Sequence, residues 1–445
     1  MSVRLARRRP LILCPVRFLV LDHHFSQDIE ALRRAAGDEL QLEVMPYDLL
    51  RSEALRVLPE EVGSGLEAYA RPDLAGARRR YAAILREILE DRFTSSPFDA
   101  VLLPSDTFFY VRSALGPVHA LGVPLLVAQK ETTISEQTMS EHADQVRRFS
   151  PPLADRMSVC SERHKRFWVR AGCSEERVVV TGQPRFDFYS NPSQWPAEVI
   201  PGGDGPSVLF LSYALDAYHP AEGGGPRGWS ALHAQTEQGL HELARRGWRV
   251  IIKPHPQQPL DVQRQWRTDA GDLWGRGVFT VDAQADVRPL IVAADVVVGF
   301  QSTALLEAML VGRPVLYTAW DRTAAALGDQ LIPFHRWESD ITVVREAGDL
   351  PDAVLAASSA VCSADELRSR REIAERYLGP LDGRAAERTV AVLGQEAALW
   401  ADRRGAPERE LRERLARRRT PLRIARRTRT SVRTLRRGVG AMLGR

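Results

Sequence analysis

Cysteine is scarce: four residues in 445 (Cys14, Cys160, Cys173 and Cys362), with no Cys-x-x-Cys pair. Such scatter argues against a disulfide framework and a structural zinc site, and it fits a reducing cytoplasm. Long apolar runs are also missing. None reaches the roughly 18 residues that span a bilayer, and the longest early one, Leu11–Leu21, is broken by Pro15 and Arg17. The basic start, Met1–Arg9, leads to no small-residue cleavage site, so no secretory leader is expected. Asp-x-Asp does not occur, which removes the usual acidic clamp for a divalent cation on a nucleotide diphosphate. His23 and His24 have no further ligands at zinc spacing, so no metal and no cofactor is expected.

What is present is ordinary for a folded chain, at 44% hydrophobic and 27% charged residues. A length of 445 residues exceeds what one core usually spans and favours several domains. The net charge of +4 hides an asymmetry: Arg403–Arg445 carries 16 Arg and 3 Glu, leaving residues 1–402 acidic at −9. An acidic body and a basic tail need separate explanations.

Short apolar runs alternate with helical patterns. Strands are expected at Leu11–Leu21, Leu40–Met45, Ala100–Leu103, Val123–Ala128 and Val178–Thr181, with helices at Ser26–Ala36 and Ala75–Asp91. Asn191–Pro206, rich in Pro and Gly, reads as a linker. After it the alternation restarts with strands at Ser207–Ser212, Arg249–Lys253, Val278–Val281, Asp295–Val298 and Pro314–Tyr317. Val296-Val297-Val298 lacks polar alternation, as a strand covered on both faces should. The pattern predicts an α/β protein of two doubly wound, Rossmann-like domains. The expected divisions are residues 1–190, a linker 191–206, residues 207–382, a closing helix 383–402 and a basic tail 403–445.

Chemistry in such sheets sits at the carboxyl ends of the strands. Lys253-Pro254-His255-Pro256 follows one strand, and its prolines stiffen the loop that carries a cation and an imidazole. Those groups suit a phosphate or a leaving group. Gly299-Phe300-Gln301-Ser302-Thr303 follows the buried valine strand, and Ser302 or Thr303 can cap the next helix. A helix start of this kind is an anion site, with Gln301 and the hydroxyls beside it. Glu307, one turn further on, could accept ribose hydroxyls. In the first half, Asp106 and Glu131 follow neighbouring strands and either could act as a general base, joined by His23 and His24 on the acceptor side. Gly223–Gly228 matches G-x-G-x-x-G literally, but Pro226 and its distance from Ser212 spoil the turn, so it reads as a mobile loop.

Lys253-Pro254-His255-Pro256, followed by Gly299-x-x-Ser302-Thr303-Ala304-x-x-Glu307-Ala308 and Gly312-x-Pro314, resembles the donor half of bacterial GT-B transferases. CDP-glycerol glycerophosphotransferases and capsule transferases of surface polysaccharide and teichoic acid synthesis are the nearest resemblance. Val180-Thr181-Gly182-Gln183-Pro184-Arg185-Phe186-Asp187 is similar to a stretch those families carry near the interdomain crossover. The resemblance implies that His255, Ser302 and Thr303 meet donor phosphates and that Glu307 binds the ribose. It departs where Gly299-Phe300-Gln301 replaces an acidic Thr-Asp-Tyr run, and where Gln129-Lys130-Glu131 stands for a Trp-His-Gly motif. A sugar is then as good a transferred group as glycerophosphate. Asp106 and Glu131 also resemble the strand-end acids of UDP-N-acetylglucosamine 2-epimerases, which share that fold.

These readings together predict a cytoplasmic, metal-independent transferase with a nucleotide-activated donor and a polysaccharide or lipid-linked acceptor. A sugar-nucleotide 2-epimerase is the enzymatic alternative. A nucleic-acid-binding protein is the non-enzymatic one, and the tail opposes it by having no Phe, Tyr or Trp to stack on bases.

The tail also predicts a peripheral place on the inner face of the membrane. Val432, Leu435, Val439, Met442 and Leu443 fall on one helical stripe, with Arg433, Arg436 and Arg437 between them. Each basic residue near an anionic surface contributes about 1 kcal/mol. Full-length protein should therefore float with anionic liposomes at physiological salt, and a 1–402 truncation should not. Equal flotation of the two would remove the tail as anchor.

Overall fold

The structure, a computed structural model, describes residues 15–22, 25–130, 134–194, 200–212, 226–256, 260–320 and 331–404. Two six-stranded sheets organise them, and every strand pairing is parallel. The first holds β1 (Val16–Asp22), β2 (Leu40–Pro46), β3 (Ala100–Leu103), β4 (Leu125–Ala128), β5 (Arg156–Val159) and β6 (Val178–Val180), in the order β2-β1-β3-β4-β5-β6. The second holds β7 (Ser207–Leu211), β8 (Arg249–Lys253), β9 (Val278–Thr280), β10 (Val296–Gly299), β11 (Val315–Thr318) and β12 (Thr342–Val344), in the order β12-β11-β10-β7-β8-β9. This is the two-domain α/β architecture expected from the alternation of strands and helices. Strand order reverses between β7 and β10, which opens a crevice at their carboxyl ends.

Period-two geometry explains why the central strands are apolar throughout. In the second sheet Leu209, Leu211, Ile251, Val297 and Val315 enter one core, while Val208, Phe210, Val250, Ile252, Val296 and Val298 enter the other. Burying such a side chain fully is worth about 1.5–3 kcal/mol. β5 and β12 were not expected from sequence. Arg156-Met157-Ser158-Val159 mixes polar and apolar residues, and Thr342–Val344 is a three-residue edge strand with Thr342 exposed.

The last helix, Ala385–Arg404, returns to the first sheet, where Leu393 and Ala397 join the core of Phe18, Val20, Leu102 and Leu126. Asp187 caps its start by accepting from the backbone N–H of Ala385 (2.9 Å) and Ala386 (2.8 Å). Arg388 donates to the Thr181 carbonyl, and the hydroxyls of Thr389 and Thr181 meet at 3.0 Å. No described helix is long and apolar enough to cross a membrane. The expected tail, from residue 405 onward, lies outside the described residues, as do His23, His24, Glu131 and Gly223–Gly225.

One seam between the two halves is backbone against backbone. Gly379 ends the helix Ala364–Leu378 at φ +86°, and a Cβ there would stand 1.6 Å from the Cys160 carbonyl oxygen. Beside it the buried Cys160 thiol donates to the Tyr377 carbonyl (3.5 Å) and lies 3.1 Å from His164 Nδ1. Burial pushes that thiol's pKa up to about 12.

Gly379→Ala should cost roughly 3–5 kcal/mol of stability, since the clash is with backbone that must itself move. Gly247 has a similar φ of +89° but nothing within 4 Å of its would-be Cβ, so Gly247→Ala should cost only the left-handed strain of about 1–2 kcal/mol. Denaturant unfolding of the two variants checks the contrast, and equal losses would contradict it.

Candidate functional site

Three strand ends converge on the crevice of the second sheet. β7 lies between β8 and β10, with Leu211 paired to Lys253 on one side and to Gly299 on the other. Ser212, the next residue, donates its N–H to the Lys253 carbonyl (3.1 Å). The Pro-His-Pro loop, Ser212 and the Gly299–Thr303 loop therefore share one edge. Gly299 is needed for this fit, because a Cβ would press on Leu211 and Leu305 at 3.2 Å.

The Gly299–Thr303 loop is strained and then locked. Gln301 has φ +35°, the only non-glycine residue with positive φ among the described residues. Its amide nitrogen donates to the Tyr317 hydroxyl (2.9 Å) and the Ile332 carbonyl (3.0 Å), and its oxygen accepts from the Ile332 N–H (3.1 Å). The side chain thus shapes the loop from beneath. Ser302 caps the eight-residue helix Thr303–Leu310 by accepting from the Ala304 N–H (3.2 Å), as the capping pattern implied. Ser302 and Thr303 are both half-buried at the crevice edge.

Lys253 is likewise committed. Its ammonium donates to the carbonyls of Pro254 (3.0 Å) and Ala283 (2.8 Å), which ties the Pro-His-Pro loop to the turn after β9. The loop holds His255 half-buried.

A buried Ser-His-Glu group that the sequence reading missed stands beside these loops. Ser212 Oγ lies 2.9 Å from His233 Nε2, and Glu237 Oε1 lies 3.1 Å from His233 Nδ1. His233 and Glu237 are four apart on the helix Pro226–Arg245, on one face. That spacing, next to a strand-end serine, was the available signal.

A buried polar cluster joins the halves beside the crevice. Asp28 accepts from the Arg185 backbone N–H (3.1 Å) and from Gln183 Nε2 (3.3 Å). Arg288 pairs with Asp286 (2.6 Å) and donates to the Arg185 carbonyl (2.8 Å), while Gln27 reaches Asp286 from the first half (3.0 Å). Glu307, 4% exposed, accepts from the Tyr189 hydroxyl at 2.6 Å. The stretch Val180–Asp187, expected near the interdomain crossover, supplies Gln183 and Arg185 to this cluster. Burial pushes the Asp28 and Glu307 carboxyl pKa values up, partly opposed by the Arg185 charge. The same burial and the Glu307 charge hold the Tyr189 phenol's proton in place, so the phenol is the donor.

Asp106 does not reach the cleft. It is 0% exposed, and its Oδ2 takes the backbone N–H groups of Leu153 (2.5 Å) and Ala154 (3.0 Å). Burial raises its pKa, but its contacts make it a clamp on the loop before β5. Lys130, just before Glu131, gives its carbonyl to Gln183 (3.1 Å), so the chain enters that stretch from the interdomain cluster. Among the described residues no group of three or more His, Cys, Asp or Glu could hold a metal ion.

No family model matches the chain, and no curated protein matches it in sequence. Solved structures do match. The UDP-GlcNAc 2-epimerase of Methanocaldococcus jannaschii, in complex with UDP-GlcNAc and UDP, aligns at 13% identity and a TM-score of 0.50, over 86% of this chain and 99% of its own. Another UDP-N-acetylglucosamine 2-epimerase gives 13% identity and a TM-score of 0.50, over 85% of this chain and 95% of its own. A glycosyltransferase from Rickettsia africae gives 10% identity and a TM-score of 0.46, over 86% and 98%. The likeness to the two epimerases is one of fold, the two-domain GT-B arrangement.

A carboxyl group whose pKa is raised on folding binds its proton more tightly folded than unfolded. Stability then falls as pH rises from the ordinary carboxyl range through the raised value. Glu307→Gln keeps an oxygen for the Tyr189 hydroxyl and removes this titration. Its melting temperature should accordingly decline less than that of the wild type between pH 5 and pH 8. Parallel profiles would show that Glu307 carries no such burden.

Proposed function

We propose that the chain is a metal-independent GT-B transferase moving a sugar or polyol-phosphate from a nucleotide-activated donor to a polysaccharide or lipid-linked acceptor. The observation that carries this reading is the convergence of the Pro-His-Pro loop, Ser212 and the capped Ser302 helix at the reversal point of the second sheet. The donor phosphates lie there, met by the helix start, the Ser302 and Thr303 hydroxyls and His255. His255 and the helix dipole stabilise the charge that develops on the departing phosphate. Lys253 adds positive field and loop rigidity, and Gln301 sets the loop's shape. A ribose hydroxyl takes the second oxygen of Glu307 or displaces the Tyr189 hydroxyl.

On the acceptor side the base role falls to Glu131, because Asp106 is fully buried and one of its oxygens holds two backbone N–H groups. The same fact weakens the epimerase reading, which draws on both strand-end acids. The specific observation in favour of that reading is the fold likeness to UDP-GlcNAc 2-epimerases. Glycerophosphate as the transferred group gains no support from the comparisons, and a sugar is preferred. The Arg-rich tail would hold the enzyme at an anionic membrane surface beside a lipid-linked acceptor.

UDP-, CDP- and GDP-linked sugars and CDP-glycerol, incubated with and without lipid-linked acceptor, separate the two readings. Transfer predicts acceptor-dependent release of a nucleoside diphosphate from a sugar donor, or of CMP from CDP-glycerol, whereas an isomerised sugar nucleotide from donor alone would establish the epimerase. His255→Ala should lower kcat by roughly 2–4 kcal/mol in barrier terms. Wild-type turnover in folded His255→Ala protein would remove His255 from the mechanism.

A further inference from the structure

Arg185 stands where the carboxyl edges of the two sheets meet. Its backbone N–H donates to Asp28, in the first turn of the helix Ser26–Ala36 that follows β1. Its carbonyl accepts from Arg288, in the first turn of the helix Val287–Ala293 that follows β9. The starts of these two helices are bonded to each other, Gln27 donating to Asp286 at 3.0 Å. The backbone of Arg185 is thus fixed from both halves, and its side chain takes no part in the fixing. That side chain is half-buried, its guanidinium carbon 4.9 Å from the Phe186 ring centroid. Among the described residues the guanidinium makes no hydrogen bond and no ion pair. Burial pushes up the pKa values of the Asp28 and Glu307 carboxyls, and the Arg185 charge opposes the push on both. The guanidinium therefore lies within electrostatic reach of Glu307, on the helix that borders the second sheet's crevice. Both carboxyls already have other donors, Gln183 and the Arg185 backbone for Asp28 and the Tyr189 hydroxyl for Glu307. Two cations of the same edge are committed: Arg288 pairs with Asp286 through Nε and Nη2, and Lys253 donates to two carbonyls. A guanidinium held by its own backbone, with its N–H groups still to give, suits an incoming phosphate, which it meets with two parallel hydrogen bonds.

We propose that Arg185 is a phosphate-binding residue of the donor site, reaching the nucleotide's phosphates from the crossover stretch. This rests on the donor-site reading above. It adds a full positive charge to a set otherwise made of a helix start, two hydroxyls and an imidazole. Phosphate is then grasped by a segment to which both halves are bonded.

Calorimetry on the full chain with UDP, CDP, GDP and ADP tests the assignment. For the nucleotide that binds wild type best, Arg185→Met should weaken binding about tenfold. The matching nucleoside, titrated as a competitor, should change by less than about twofold. Arg185→Lys should recover part of the loss, since it keeps the charge but not the planar fork. Added salt should weaken nucleotide binding less steeply in Arg185→Met than in wild type. Both substitutions leave the backbone bonds to Asp28 and Arg288 in place, and Arg185→Lys carries the affinity comparison if Arg185→Met fails to fold. A lower melting temperature in Arg185→Met with unchanged nucleotide affinity would overturn the assignment. Arg185 would then be a counter-charge for Asp28 and Glu307, and the donor site would stand. Equal loss of nucleotide and nucleoside would overturn it as well. So would unchanged nucleotide affinity with weaker binding of a short polyprenyl diphosphate, which would move the phosphate to the acceptor. Failure of wild type to bind any of the four nucleotides would overturn the donor site and this proposal with it.

Discussion

The fold turns on a carboxylate held out of water at the junction of its halves. Asp28, on the first helix, has its charge placed against the backbone of Arg185 and the amide of Gln183. A buried charge left unpaired would cost several kcal/mol, so these partners are obligatory rather than decorative. The partners lie on the crossover stretch, whose Arg185 carbonyl is in turn held by Arg288 from the second half. Both sheets are thereby referred to a few residues between Thr181 and Asp187. The same stretch caps the returning helix through Asp187. A short polar segment thus fixes the relation of the first sheet, the second sheet and the closing helix.

Legibility in the sequence followed how local each signal was. Val296–Val298 announces a doubly covered strand, and Ser302 announces a helix start, because each depends on neighbours along the chain. Pro254 and Pro256 likewise declare a stiff loop. β12 escaped notice because a three-residue edge strand carries little pattern. Asp106 was legible as a strand-end acid, yet its use depends on where residues 153–154 fold back, which no spacing discloses. Ser212, His233 and Glu237 offered only the four-residue spacing of the last two, because a strand end and a helix meet only in three dimensions.

Strain and polarity are concentrated at the same edge. Gln301 is held at positive φ by a side chain bonded to Tyr317 and Ile332, and Lys253 is spent on two carbonyls. Residue types that suggest ligand contact are here the supports of the loop backbone at that edge. Bonding of this kind places the cost of ordering the loop in folding itself.

The seam at Cys160 has a kinetic meaning. Its thiol is enclosed by His164 and the Tyr377 carbonyl, and Gly379 leaves no side chain to swing aside. A thiol so buried and so weakly acidic does not react in place. An alkylating reagent reaches it only after the packing around it opens, so the labelling rate of Cys160 counts openings of this seam.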